Sequence, residues 1–342
     1  ETYETIEFNE NGECNICSQN IYKNSSIDWS QRKNLLKNLI EKHRGKNDYD
    51  CIVPFSGGKD STFTLYYLVK EFNIKPLVVQ FDHGFMRPTL LKNNENTFKS
   101  LGVDVLKFSP NWKVVKRLML ESLQRKGDFC WHCHTGIFSY PMHVAIKFNI
   151  PLVFWGEPSS EYTNYFDYSE NEIEQVDEVR FNRFVNLGIT AEDMEGMISN
   201  FDFDKRDLIP YSYPNLRDLK KLRYESVCLG SYIPWDTKKQ SELIQKNLGW
   251  KGDEVEGMPP DLYSYEKIEC FMQGVRDYLK FLKRGYSRVT QMTALDIRNK
   301  RMSLEEANNL IKKYEGFKPQ SLKIFMDYLN IDENEFNEIV KN

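Results

Sequence analysis

The chain has 342 residues and a formal net charge of −4, a balance that counts against a broad nucleic-acid surface. Hydrophobic residues at 40% and aromatics at 14% suffice for a proper core and exclude a disordered chain. No apolar run reaches the length of a membrane span, and seven cysteines fit a reducing cytoplasm better than a disulfide framework. The sequence begins at Glu1 rather than Met with no secretory signal, as a trimmed form of a longer protein would.

In chain order, residues 1–45 form a cysteine-bearing segment around Cys14 and Cys17. An apolar strand is expected over 51–55, followed by a helix whose Leu65, Leu68, Val69 and Phe72 keep helical spacing. Strands follow at 76–82, 103–108 and 151–155, with helices at 89–101 and 112–124 between them. This alternation predicts an α/β fold, a parallel sheet covered by helices on both faces. Ligands in such sheets bind beyond the carboxyl ends of the strands. Three segments then share one edge: SGGKDST after the first strand, FDHGFMR after the second and GEPSSEY after the fourth. Residues 46–245 make up this domain, and 246–342 a mostly helical region for substrate or partner. Ser303 with Glu306 forms a capping box that opens two or three short C-terminal helices.

The stretch PFSGGKDST, between strand and helix, has the chemistry of a polyphosphate cradle. Gly57 and Gly58 permit a tight backbone with no Cβ in the way of a ligand. Ser56, Ser61 and Thr62 offer hydroxyls, and the following helix points free N–H groups and its positive end at the loop. Neither the Walker pattern nor the Rossmann pattern fits it. SGGKDS resembles the pyrophosphate-binding loop of the ATP-pyrophosphatase (PP-loop) superfamily. That resemblance implies cleavage of ATP between the α and β phosphates and transfer of AMP to a carbonyl or carboxylate oxygen. A nucleophile then displaces the AMP. Lys59 could place a point charge on the phosphates. Asp60 is a candidate ligand for Mg²⁺ entering with ATP, or a helix N-cap, and both could hold.

By the same resemblance, Phe81, Asp82 and His83 are candidates for nucleoside contact, His83 in binding rather than catalysis. Gly156 and Glu157 look like a second phosphate or metal segment, although Glu157 could instead cap the next element. Cys14 with Cys17 and Cys130 with Cys133 make two C-x-x-C knuckles. They could share a tetrahedral zinc site, or the first pair could match a knuckle preceding Glu1. Cys130 and Cys133 could also hold an iron–sulfur cluster together with Cys228, as in PP-loop enzymes that thiolate tRNA. Zinc on these thiolates is the expectation, with His132 and His134 as bystanders.

NENGECNIC, SGGKDS, CWHCHTGIF, FWGEPSSEY, LGSYIPWD and KRGYSRVTQMTALDIRNKRMSLEEA occur in that order over nearly the whole chain. Together they resemble the N-acetyl sugar amidotransferase family of bacterial surface-polysaccharide and nonulosonic-acid biosynthesis. The resemblance implies conversion of an acetamido group, on a nucleotide-linked or nonulosonic sugar, into an acetamidino group, with ATP, Mg²⁺ and Zn²⁺ as cofactors. Ammonia would come from a separate glutaminase like the histidine-biosynthesis subunit, with or without its cyclase partner. In keeping with this, no glutaminase triad is evident in the chain. One departure is that the family carries another C-x-x-C before the position of Glu1. Asp236 is a candidate to orient ammonia or bind sugar, and Trp235 to pack on a sugar ring, against ordinary loop packing for both. Arg288, in a Gly-Tyr-Ser loop, is a candidate for diphosphate or sugar carboxylate, against solvated helix pairing. A tRNA-thiolating enzyme and a non-catalytic nucleotide-binding subunit are the competing classes.

Overall fold

The computed structural model describes residues 6–158 and 173–341. Ser159 to Tyr162 of the GEPSSEY segment lie outside them. Five strands form one sheet: β1 (Cys51–Pro54), β2 (Pro76–Phe81), β3 (Asp104–Phe108), β4 (Leu152–Trp155) and β5 (Glu225–Cys228). All pair in parallel in the order β3-β2-β1-β4-β5. The α/β sheet expected from the sequence is therefore present. Its fifth strand was not expected, because ESVC is short and has too little apolar character to stand out. It is held by register with β4, Trp155 facing Cys228.

Side chains alternate between the two faces, as strand geometry requires. Cys51, Val53, Val78, Phe154 and Val227 pack on one face, beneath helices α2 (Trp29–His43) and α3 (Lys59–Phe72) and helix Thr237–Leu248. Ile52, Leu77, Val79, Val153 and Cys228 face the other way. They meet Met142, Val144 and Ala145 of helix α6 (Trp131–Phe148) and Leu219 of helix Leu216–Leu222. Both faces are covered, which is why the strands read as continuous apolar runs. Edge strand β3 is the exception; it carries Asp104 and Lys107 and is partly exposed, which blunts the open edge.

The remaining helices of the central layer are α4 (Pro88–Leu101) and α5 (Trp112–Lys126), and α1 (Asn15–Ser25) lies at the N-terminal end. Helix α1 docks through Lys23, whose ammonium donates to the Trp235 carbonyl at 2.8 Å. Helices Gln273–Arg284, Ser321–Leu329 and Glu333–Lys341 share a core with α5: Val115, Met119 and Leu123 pack with Val275, Leu279, Phe325 and Phe336. The expected Ser303–Glu306 capping box opens helix Leu304–Tyr314, and two more helices follow it. Among the described residues no helix is long and apolar enough to cross a membrane.

Phe325 is fully buried, its ring 4.6 Å from that of Phe129, which leads into α6. Phe325→Ala should cost about 3–5 kcal/mol, as large-to-small changes in tight cores do. The check is a denaturant titration. A loss below 1 kcal/mol would mean that the C-terminal helices do not share this core.

Candidate functional site

The turn after β1 is fixed by its own hydroxyls. Ser61 Oγ accepts from the backbone N–H of Gly57 at 3.1 Å and of Ser56 at 3.3 Å, and Gly58 N–H donates to Ser56 Oγ at 3.3 Å. Thr62 Oγ1 donates to the Gly57 carbonyl, which also receives the Trp250 indole N–H at 3.2 Å. Gly57 has φ +89°, and a Cβ there would lie 2.1 Å from Asn94 Oδ1. A Cβ on Gly58 would lie 1.8 Å from Glu269 Oε1. The positive φ makes glycine the fitting residue at position 57, whereas at Gly58 a Cβ would meet only the flexible end of the chain's own Glu269 side chain. Gly58 is the N-cap of α3, so Asp60 belongs to the first helical turn and is not the cap.

Beyond the carboxyl ends of β1 and β4, where the strand order reverses, lies a cavity of about 210 Å³. Ser56, Asp60 and Ser61 come to it from the loop, His83 from the turn after β2, and Gly156 and Glu157 from the end of β4. Helix α6 contributes His132, Cys133, His134 and its N-cap Cys130. A fourth wall, missed from the sequence, carries Lys267, Glu269, Cys270, Gln273 and Arg276. The only sequence signal for that wall was EKIEC, charges and a cysteine set inside an apolar stretch.

Several expected site residues lie elsewhere. Lys59 is 1% exposed, and its ammonium sits 2.8 Å from Asp60 Oδ2 and 2.7 Å from Glu266 Oε2. It is held behind the cavity wall, so Lys267 and Arg276 are the cations that line the space. Arg288 is buried as well, donating to Glu266 Oε1 at 3.1 Å and Asp277 Oδ2 at 3.3 Å. It does not stand in an open loop; burial drove it to carboxylate partners. Phe81 is core, against Phe108, Tyr140 and Tyr211, and its ring fills the space where Gly136 lacks a Cβ. Asp82 pairs with Lys107 at 3.0 Å, outside the cavity. Trp235 is 3% exposed and meets Phe63 edge-on. Asp236 caps helix Thr237–Leu248 and pairs with Arg301. For Trp235 and Asp236 the plain packing alternative is the one observed.

Two carboxylates, Asp60 and Glu157, line the cavity near the loop. Burial and then the neighbouring Asp60 charge push the Glu157 carboxyl up to about 7. Asp60 Oδ1 is buried with no hydrogen-bond partner. Two close carboxylates, one with an unused oxygen, suit a divalent cation that takes its other ligands from phosphate and water. Across the cavity, burial holds the His132 imidazole down at about 4 and His134 at about 3, so both are neutral at physiological pH.

The cysteines correct the zinc expectation. Cys14 and Cys17 lie at the start of α1, with Arg298 as a charged neighbour of Cys17. Cys130 and Cys133 lie at the start of α6 beside Arg276 and Asp128. The two knuckles do not unite, and among the described residues no group of three or more His, Cys, Asp or Glu is arranged to hold one metal ion. These residues do not fit a closed tetrahedral zinc site. Cys228 is also elsewhere, its sulfur receiving a bond from Arg180 at 3.5 Å. The thiol that joins Cys130 and Cys133 in the cavity wall is Cys270. It is held there by backbone pairing with Met86 and by Arg87, which donates to its carbonyl at 3.3 Å.

Residues 263–342 match the family model described as LPS biosynthesis protein WbpG-like, C-terminal domain. An uncharacterized protein of Methanocaldococcus jannaschii is 33% identical over 94 residues. That match takes in 28% of this chain and 32% of the relative, so the chain spans about a third of the relative's length. Among solved structures, NMN synthetase from Francisella tularensis aligns at a TM-score of 0.33 and 11% identity, over 71% of this chain and 94% of that one. The U34-tRNA thiolase NcsA from Methanococcus maripaludis, described with its 4Fe-4S cluster, aligns at 0.33 and 12%, over 83% of this chain and 79% of that one. The fourth cavity wall, from Lys267 to Arg276, lies inside the WbpG-like segment.

Two outcomes test this geometry. Glu157 has its folded pKa raised from 4.5 to about 7, so the stability tied to its protonated form is complete below its unfolded value and is lost as pH rises to 7. Relative to Glu157→Gln, the parent should lose up to about 3 kcal/mol between pH 4.5 and 8 without added cation, measured by thermal melts. A flat difference would mean that Glu157 is neither buried nor under the Asp60 charge as described. Separately, Gly58→Val should melt lower because it strikes Glu269, and adding Glu269→Ala should restore much of the lost melting temperature. If the second change restores nothing, Glu269 does not stand on the loop.

Proposed function

We propose that this chain is an ATP-dependent N-acetyl sugar amidotransferase of bacterial surface-glycan (O-antigen) assembly, acting in the cytoplasm on a nucleotide-linked or nonulosonic acetamido sugar. One observation carries the reading: the WbpG-like segment supplies a wall of the same cavity that the SGGKDS loop opens into. A loop with the signature of AMP-forming enzymes and a segment of lipopolysaccharide biosynthesis thus converge on one space.

In this reading the N–H groups at the start of α3, with Lys267 and Arg276, receive the polyphosphate. Asp60 and Glu157 would hold a Mg²⁺ entering with ATP, which would compensate phosphate charge there. The acetamido oxygen attacks the α-phosphorus, the bond to pyrophosphate breaks, and the amide N–H proton leaves with the pyrophosphate. Ammonia then adds to the imidate carbon and AMP departs with the former acetyl oxygen. The amidinium product keeps all the hydrogens that ammonia brings. The protein contributes position and charge compensation rather than covalent chemistry. In this reading a partner glutaminase supplies the ammonia.

A sulfur-transfer enzyme acting on tRNA is the second reading, and the three cavity cysteines favour it. The acidic charge balance counts against it. The assay that separates them uses nitrogen-15 ammonium with nucleotide-linked acetamido sugars, read by mass spectrometry beside nucleotide chromatography. Ammonium salts at raised pH should label the sugar with AMP released one for one, and glutamine should serve only once the glutaminase is added. Sulfur entering tRNA, with no label in any acetamido sugar, would give the reaction to the second reading.

A further inference from the structure

The proposed reaction turns a neutral acetamido group into a cation, and the Glu269 carboxylate stands in the same cavity without a task. Its Oε1 lies over Gly58, and its Oε2 is buried with no hydrogen-bond partner. Among the described residues no lysine or arginine pairs with it. Arg276, on the same wall, is committed to Asp128 at 3.2 Å. His83, a neighbour of Glu269, is kept from acting as a cation, since burial lowers its imidazole below the ordinary value. A metal ion is not the missing partner either: among the described residues no three acidic, cysteine or histidine groups are arranged to hold one.

A second group in the cavity is also unused. His83 is 4% exposed, and its Nδ1 accepts the Phe85 backbone N–H at 3.4 Å. The ring proton then sits on Nε2, a buried donor with no partner, beside the Glu269 side chain and backbone. An idle acceptor next to an idle donor complements an amide, whose N–H donates and whose oxygen accepts. The wall around the pair is apolar, with Phe85, Phe129 and Met272 lining the same space. An acetamido group has a methyl for those side chains, an N–H for the carboxylate and an oxygen for the imidazole.

The carboxylate matters more as the reaction proceeds. In the second half-reaction the ammonia lone pair forms the new C–N bond, and the imidate π pair moves onto the sugar nitrogen. That nitrogen takes one ammonia proton, and the C–O bond breaks with its electrons on AMP. No proton is lost, so the product is an amidinium cation. Like a guanidinium it is planar with a fork of N–H donors, which a carboxylate grips through both oxygens. A fixed anion beside developing positive charge lowers the barrier.

We infer that Glu269 is a catalytic carboxylate of the nitrogen transfer, reading the acetamido N–H in the substrate and holding the amidinium as it forms, with His83 Nε2–H on the oxygen. The inference rests on the reaction proposed above and adds the residues that recognise the reacting group. Phosphate arriving on the loop displaces the carboxylate from Gly58 into the space it already lines. Glu269 is a counter-ion and not a base, so it ends the reaction unprotonated.

The probe is acetamidinium chloride, titrated into the full chain and followed by proton NMR of its methyl group. Acetamide and sodium chloride are the controls for shape and ionic strength. Acetamidinium should bind the parent at least about tenfold tighter than acetamide, as a hydrogen bond to a charged partner implies. Glu269→Gln, which keeps the shape and loses the charge, should remove that advantage while its melting temperature stays near the parent's. Glu157→Gln should keep most of it. Where the labelling assay succeeds, Glu269→Gln should lower kcat at least about tenfold with little change in KM for ATP. Acetamide binding as well as acetamidinium would overturn the assignment. So would a Glu269→Gln variant that matches the parent in amidinium binding or in kcat, or loss of binding in Glu157→Gln instead. The titrations need no turnover, so their failure is distinct from failure of the labelling assay.

Discussion

The buried ammonium of Lys59, shared between Asp60 and Glu266, is the contact on which the arrangement of the site depends. It joins the first turn of α3 to a carboxylate from the far end of the sequence. Glu266 in turn engages Arg288, and Arg288 engages Asp277. Burial raises the Glu266 carboxyl, yet Lys59, Arg288 and Lys267 outweigh it and hold it at about 2. Glu266 is therefore an anion throughout the physiological range, and the chain of charges does not switch. Such a buried network adds little net stability compared with apolar packing, but removing one member strands a charge, at a cost of about 3–5 kcal/mol. Its value is positional: it fixes where residues 266–276 stand relative to the loop.

The sheet was legible because buried parallel strands are continuous apolar runs, and CIVPF, PLVVQF and PLVFW are of that kind. The loop was legible because Gly57 and Gly58 obey a local steric rule. Gly156 and His83 both line the cavity, since strand ends of one parallel sheet share an edge. ESVC was not legible, because only its register beside β4 makes it a strand.

The remaining misplacements share a cause. Lys59, Arg288 and Asp236 were read as ligand-facing because charged residues near loops usually face solvent or ligand. Each instead has an internal partner: Glu266 for Lys59 and Arg301 for Asp236, both from distant segments, and Asp277, in the preceding helix, for Arg288. Long-range ion pairing leaves no periodicity to read. The cysteines show the same limit, for the C-x-x-C spacing pointed to paired knuckles, whereas the third thiol in the wall came from a position with no motif around it.

Glu269 has a consequence for how the cavity fills. Its carboxylate occupies the space above Gly58, with Oε2 buried and unpartnered. The space directly above the Gly58 backbone is thus taken by a side chain of the protein itself. The loop is in effect stoppered by the chain's own Glu269 side chain. Entry requires the stopper to swing aside or a cation to arrive with the phosphate. Glu269 is followed directly by Cys270 and then by helix Gln273–Arg284, so the carboxylate over the loop and the thiol in the cavity wall stand on one short stretch of chain.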